Sequence, residues 1–344
     1  MTNSSEAPTD KAKSARLIDV ARRAGVSLAT ASKALNERGR ISDATRLRVV
    51  AAARELAYAR AGKPSPLPGR SGTVGLLTSD LEGRFSLPIL MAAEDTFGAG
   101  QVSVFLCDAR GDAIREKHYI SALLNRNVDA IMVVGSKTDP RQPIAVDLPV
   151  PVIYVYTPSA DPADLSITPD NVAGGRMALD HLFESGRTRI AHITGPQTER
   201  ATIDRAEGIR QALEARNASL VYATPYGEWS ERWGRSACAM LLDQGKKVDT
   251  ILCDSDQIAR GALDALRERG VLVPSDIAIM GFDNWDVIVE GAHPTLTSID
   301  MNLSLLGRLA AESLFDAMEG KPRAAGVQLV PCRLAIRAST TQAI

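Results

Sequence analysis

Ser27, Thr30 and Lys33 fall close together in the stretch DVARRAGVSLATASKALN, residues 19–36. Two hydroxyls and an ammonium at this spacing suit a polyanion, because hydroxyls donate to phosphate oxygens and a lysine Nζ reaches acceptors such as guanine O6 or N7. Leu28 and Ala29 lie between them, and their slender side chains leave room for a large partner to approach the backbone. Catalytic arrangements elsewhere fail on inspection. GSKT at 135–138 ends like a phosphate loop, but Ser136 stands where a glycine should precede the lysine. GRSAC at 234–238 lacks the closing glycine of a nucleophile elbow and lies in a helical pattern. Gly174-Gly175 lacks the GxGxxG spacing and reads as close backbone packing. An enzyme on an α/β scaffold is therefore the weaker reading, with no catalytic residue to name.

The polar trio must be held by short helices. Val20, Ala21 and Ala24 share one helical face, Ala31, Ala34 and Leu35 another, and Gly25-Val26-Ser27 breaks the pattern between them. Ser42 suits the N-cap of a third helix, which carries Leu47, Val50, Ala51 and Leu56 at helical spacing. Residues 11–60 carry twelve basic against four acidic side chains, a net of +8, whereas 61–344 carry 28 against 35, a net of −7. A basic three-helix module on an acidic body points to nucleic acid. The pattern is a helix-turn-helix whose second helix enters the major groove. Ser27 and Thr30 then face phosphates while Leu28, Ala29 and Lys33 face base edges; Asn36, Ser42 and Thr45 complete the DNA-facing candidates. A bundle serving protein contacts, or a merely solvated basic face, is the plainer alternative.

At 344 residues, 45% hydrophobic and 24% charged, the chain exceeds one ordinary domain. Apolar runs at 73–78, 102–107, 130–135, 151–156, 189–194, 250–254 and 277–282 alternate with amphipathic helices. Such runs fit strands buried on both faces of parallel sheets. The fold class expected is α/β: an N-terminal three-helix helix-turn-helix domain followed by a two-lobed body with a cleft between the lobes. The divisions expected are a disordered tail at 1–14, the DNA-binding domain at 15–60, a linker at 61–72 and an effector-binding and dimerisation domain at 73–344. Cys107, Cys238, Cys253 and Cys332 show neither CxxC nor metal spacing, so neither disulfide nor metal site is expected. No apolar run suits a signal peptide or membrane span, which predicts a cytoplasmic protein.

From residue 17 onward the sequence resembles the lactose-repressor (LacI/GalR) family of bacterial transcriptional regulators. The resemblance rests on LIDVARRAGVSLATASKALNERGRISDATRLRVVAAARELAY, then DNVAGGRMALDHL (170–182), RTRIAHITGP (187–196), CDSDQIARGALDALRERGVLVPSDIAIMGFDN (253–284) and PTLTSID (294–300). It implies a body like periplasmic sugar-binding proteins, with a small effector in the cleft and no cofactor. It implicates Arg205 and Asp283 in effector binding, with Trp229 and Phe85 as aromatic walls; Ser255 and Asp80 are further candidates at strand ends. Lys33 stands where the family usually has arginine, and Met301 where it often has a polar ligand contact. The partners implied are a pseudo-palindromic double-stranded operator, bound as a homodimer, and an effector for which a carbohydrate is favoured over a nucleobase. The family's hinge helix would place Leu67 in the minor groove, yet Pro64, Pro66 and Pro68 surround it. Proline inside a helix loses a hydrogen bond and clashes with the preceding turn, so 63–69 are expected to stay extended, with little or no leucine wedge.

Overall fold

The structure, a computed structural model, describes residues 17–35, 41–55, 71–79, 84–98, 102–145, 148–222, 226–322 and 324–341. The N-terminal tail, Asn36, the proline-rich linker with Leu67, and Asp80 lie outside the described residues. The chain divides into two compact units, residues 1–68 and 69–344.

In the first unit, helices α1 (Leu17–Ala24), α2 (Leu28–Leu35) and α3 (Asp43–Glu55) pack around Val20, Ala21, Ala24, Ala31, Ala34, Val49 and Ala52. Five of these seven are alanine, so the helix backbones lie close. Gly25 turns the chain between α1 and α2 at φ +64°, a conformation that costs glycine little. The inward face of α3 is not the stripe marked by Leu47, since Leu47 is 70% exposed and Val49 and Ala52 are buried. In a helix carrying three arginines and few large apolar residues, apolar spacing alone does not fix which face turns inward.

The second unit holds two α/β lobes. The first has a six-stranded sheet in the order β10-β5-β4-β3-β1-β2, formed by β1 (Thr73–Thr78), β2 (Ser103–Asp108), β3 (Ala130–Val134), β4 (Val152–Val155), β5 (Leu165–Pro169) and β10 (Gly326–Val330). All its pairs are parallel. Helices α4 (Ser86–Phe97), α5 (Ala113–Asn125) and α11 (Leu303–Met318) belong to this lobe. The second lobe orders β11 (Arg333–Ala335), β9 (Thr297–Asp300), β8 (Ala278–Asp283), β7 (Thr250–Cys253) and β6 (Ile190–Ile193). Only β11 runs antiparallel, and α6 (Asn171–Glu184), α7 (Arg200–Ala215), α8 (Glu231–Asp243), α9 (Asp256–Glu268) and α10 (Asp286–Val289) accompany the sheet. The chain passes between lobes three times, at Asp170, at Met301-Asn302 and at Pro331-Cys332. These segments lie side by side: the Asp170 amide donates to the Val330 carbonyl at 2.9 Å and the Asn302 side chain donates to the Pro331 carbonyl at 3.4 Å. No described helix is long and apolar enough to cross a membrane.

Helices α8 and α9 of the second lobe meet through a glycine on each side. A Cβ at Gly261 of α9 would collide with the Glu231 carbonyl oxygen of α8, and one at Gly234 of α8 would collide with that of Ile258. Gly261→Ala is therefore expected to destabilise the domain by about 1–3 kcal/mol, because separating packed backbones outweighs the gain in helix propensity. Urea unfolding measures this, and a neutral or stabilised variant would contradict it.

Candidate functional site

Two surfaces collect the residues with chemistry. On α2, Ala31 and Ala34 face the core while Leu28, Ala29 and Lys33 are exposed. The Ser27 hydroxyl accepts from the Thr30 amide at 3.1 Å and shares a hydrogen bond with the Thr30 hydroxyl at 2.8 Å, which caps α2. Ser42 and Thr45 repeat this arrangement at the start of α3, with hydroxyls 2.9 Å apart and the Thr45 amide 3.4 Å from Ser42 Oγ. Each serine thus first stabilises a helix start, and its hydroxyl stays exposed.

The second surface is a cavity of about 530 Å³ between the two lobes. Arg205 enters it from α7. That helix can approach α6 because Gly175 is bare: a Cβ there would strike the Arg205 carbonyl oxygen. The guanidinium is buried and fully engaged. Its Nε donates to Asn171 Oδ1 at 2.9 Å, Nη1 donates to the Asp254 carbonyl, and Nη2 lies 3.6 Å from Met301 Sδ and 3.5 Å from Asp283 Oδ1. It also stacks on Phe282, 3.7 Å from the ring centroid. Burial lowers its pKa from the ordinary arginine value, opposed by neighbouring acidic groups. Since Asn171 and Met301 flank two interlobe passages, Arg205 joins the cavity to the segments on which the lobes turn.

Arg84, just before α4, reaches across from the first lobe. It pairs with the other Asp283 oxygen and donates to Gln257 Oε1 at 2.9 Å, with its guanidinium 4.8 Å from the Phe85 ring and 5.4 Å from that of Trp285. A second polar bridge joins the lobes at the opposite wall. Glu199 accepts from Lys137 Nζ at 2.6 Å through Oε1 and from Trp229 Nε1 at 2.6 Å through Oε2, and the Glu199 hydrogen bond raises the lysine pKa. Phe85 stacks on Tyr156 with centroids 4.3 Å apart. Tyr156 and Asp283 hold φ values of +70° and +108°, where non-glycine residues are strained, a condition that concentrates at ligand sites.

Behind this wall lie two more carboxylates. Asp254 is bound by His192 Nε2 at 2.9 Å and by the Thr194 hydroxyl. Asp256 accepts from Ser298 Oγ at 2.6 Å and from the Trp285 amide at 2.8 Å, and burial pushes its pKa up to about 7.

Four of the residues singled out in the sequence, Phe85, Arg205, Trp229 and Asp283, line the one cavity. Ser255 does not: it is buried and caps α9, accepting from the Ile258 amide at 3.1 Å. Met301 is buried against Arg205 and the Tyr156 hydroxyl. Arg84, Lys137, Tyr156 and Glu199 carry no spacing that marks them, and the fold brings them to the cleft from separate loops.

A basic helix-turn-helix unit joined to a two-lobed α/β domain with a polar and aromatic cleft is the plan of a ligand-responsive DNA-binding protein. Residues 16–61 match bacterial regulatory proteins of the lacI family, and residues 179–340 match the periplasmic binding protein-like domain. The chain is 32% identical over 336 residues to the HTH-type transcriptional repressor CytR of Escherichia coli strain K12, covering 95% of this chain and 96% of that one. Among solved structures it resembles the lac repressor dimer bound to operator and the anti-inducer ONPF, at TM-score 0.70 and 28% identity over 95% of this chain and 99% of that one. It also resembles a CelR–cellobiose complex, at TM-score 0.67 and 29% identity over 94% and 99%. The chain belongs to the lacI family of bacterial regulatory proteins.

Proposed function

We propose that the chain is a cytoplasmic transcriptional repressor that binds a pseudo-palindromic operator as a homodimer and is controlled by a carbohydrate in the interlobe cleft. The observation that carries this reading is the meeting of Arg205, Asp283, Trp229 and Phe85 at one cavity in a chain that also presents the exposed face of α2. Charged groups suit hydroxyls and flat rings suit the apolar faces of a sugar. The solved CelR–cellobiose complex, which the chain resembles, supports it. One helix-turn-helix reads only a half-site, so operator binding needs two copies. The edge strand β2, with Phe105 and Leu106 each 44% exposed, offers apolar surface to a second copy. The aromatic walls also suit a nucleobase, which belongs in the same ligand panel.

The test is selection of an operator from random duplexes, followed by operator titrations with sugars and nucleobases present. One sugar is expected to change operator affinity by about 5- to 150-fold, the usual range of allosteric coupling. A response to nucleobases alone would replace the sugar reading. Failure to select any duplex would remove the DNA-binding role.

A further inference from the structure

We propose that Asp256 is a positioning residue of the cleft: together with Ser298 it clamps the turn at residues 283–285 and so fixes where the Asp283 carboxylate stands. Its bearing on effector binding rests on the reading above, whereas the clamp itself does not. Ser255, Asp256 and Gln257 follow one another at the start of α9, and each serves a different segment. Ser255 caps the helix, Gln257 accepts from Arg84 at 2.9 Å, and Asp256 turns to the neighbouring strands. Its Oδ2 accepts from the Trp285 amide at 2.8 Å and its Oδ1 from Ser298 Oγ at 2.6 Å. Ser298 Oγ in turn accepts from the Asn284 amide at 3.0 Å. Two consecutive amides of the turn thus end on one carboxylate–hydroxyl pair, and both of those side chains are fully buried. Gly281 permits the approach, since a Cβ there would collide with Asp256 Oδ1.

The turn needs such a clamp. Asp283 and Asn284 hold φ values of +108° and +52°, a strained pair of non-glycine conformations that persists only where the surroundings dictate it. Released, the turn would relax and carry Asp283 away from Arg205 and Arg84. Trp285 would move with it and leave the Arg84 guanidinium, which lies 5.4 Å from its ring. The clamp also depends on charge, because only a carboxylate accepts both bonds. A protonated carboxyl would either set its hydrogen against the Trp285 amide or reverse the Ser298 bond. Arg84, Arg337 and Arg205 lie near Asp256, with Asp254 two residues before it and Asp283 and Asp286 on either side of the turn. Burial outweighs the cations and pushes the Asp256 pKa up to about 7, so the clamp is complete above that pH and loosens below it.

The experiment is fluorine NMR of the full chain labelled with 5-fluorotryptophan, which reports on Trp229, Trp233 and Trp285, with Trp285→Phe identifying the last signal. Between about pH 6 and about pH 8.5 the Trp285 signal is expected to titrate with a midpoint near 7. In Asp256→Asn the titration should vanish, and the signal should stand away from its wild-type high-pH position, towards that of Arg84→Gln. In Ser298→Ala the midpoint should rise, because the lost hydroxyl favoured the ionised form. A wild-type signal that does not titrate, a titration that survives Asp256→Asn, or an Asp256→Asn signal at the wild-type high-pH position would overturn the inference. Should Asp256→Asn fail to fold, an unchanged midpoint in Ser298→Ala would overturn it equally. No ligand enters the measurement, so its failure leaves the carbohydrate reading standing, and a cleft that responds to nucleobases alone leaves the clamp standing.

Discussion

Arg205→Ala is expected to abolish ligand binding in the cleft and to destabilise the effector domain by about 3–5 kcal/mol, the usual cost of breaking a buried charged network. Arg205 is 2% exposed and serves Asn171, the Asp254 carbonyl, Met301 and Asp283 at once. Truncation leaves a buried amide oxygen and a buried carbonyl without their donor, and a void against the Phe282 ring. Lysine is not expected to rescue, because a single ammonium cannot reproduce a planar fork with separate partners. Urea unfolding read by tryptophan fluorescence gives the stability, and calorimetry gives the binding. A loss below about 1 kcal/mol, the range of an exposed ion pair, would show that the network is not a structural unit.

The second large effect belongs to DNA readout. Lys33→Ala is expected to relax specificity at one base pair and to cost about 1–3 kcal/mol against the preferred operator. Lys33 projects from the exposed face of α2, opposite the buried Ala31 and Ala34, so truncation leaves the core of the unit intact. Thr30→Ala removes a phosphate donor and part of the α2 cap, and should weaken all duplexes nearly alike. Lys33→Arg should sharpen a guanine preference, since the fork pairs with O6 and N7 together. Selection from random duplexes reads all three variants. An unchanged preferred sequence and affinity for Lys33→Ala would place another face of α2 in the groove.

Strands with continuous apolar runs were legible in the sequence, and β1, β3, β7 and β8 lie within a residue or two of their expected bounds. Strands β5 and β9 were not, for a physical reason. Their sequences, LSITP and TSID, bury hydroxyls that are satisfied only in the folded state. Ser166 Oγ accepts from the Ser159 amide at 2.9 Å, and Ser298 Oγ donates to Asp256. Read along the chain, such residues look like turns. The cleft shows the same limit. Arg205 and Asp283 stand in recognisable contexts, whereas Arg84 and Glu199 acquire their meaning only from partners in the opposite lobe. Nothing in the local pattern around Arg84 announces that it meets Asp283 and Gln257.

The three short passages between the lobes carry a mechanical consequence. A single tether would let one lobe swivel freely, and two would still allow a rocking twist. Three parallel straps, cross-linked where Asp170 meets Val330 and Asn302 meets Pro331, resist torsion and sliding while yielding to flexion. The lobes are thus left with one soft coordinate, opening and shutting, as in hinge closure around a ligand. Arg205 bonds to Asn171 and touches Met301, beside two of those straps, so whatever occupies the cavity acts near the fulcrum. A sub-ångström change there is levered into a larger displacement at the far ends of both lobes.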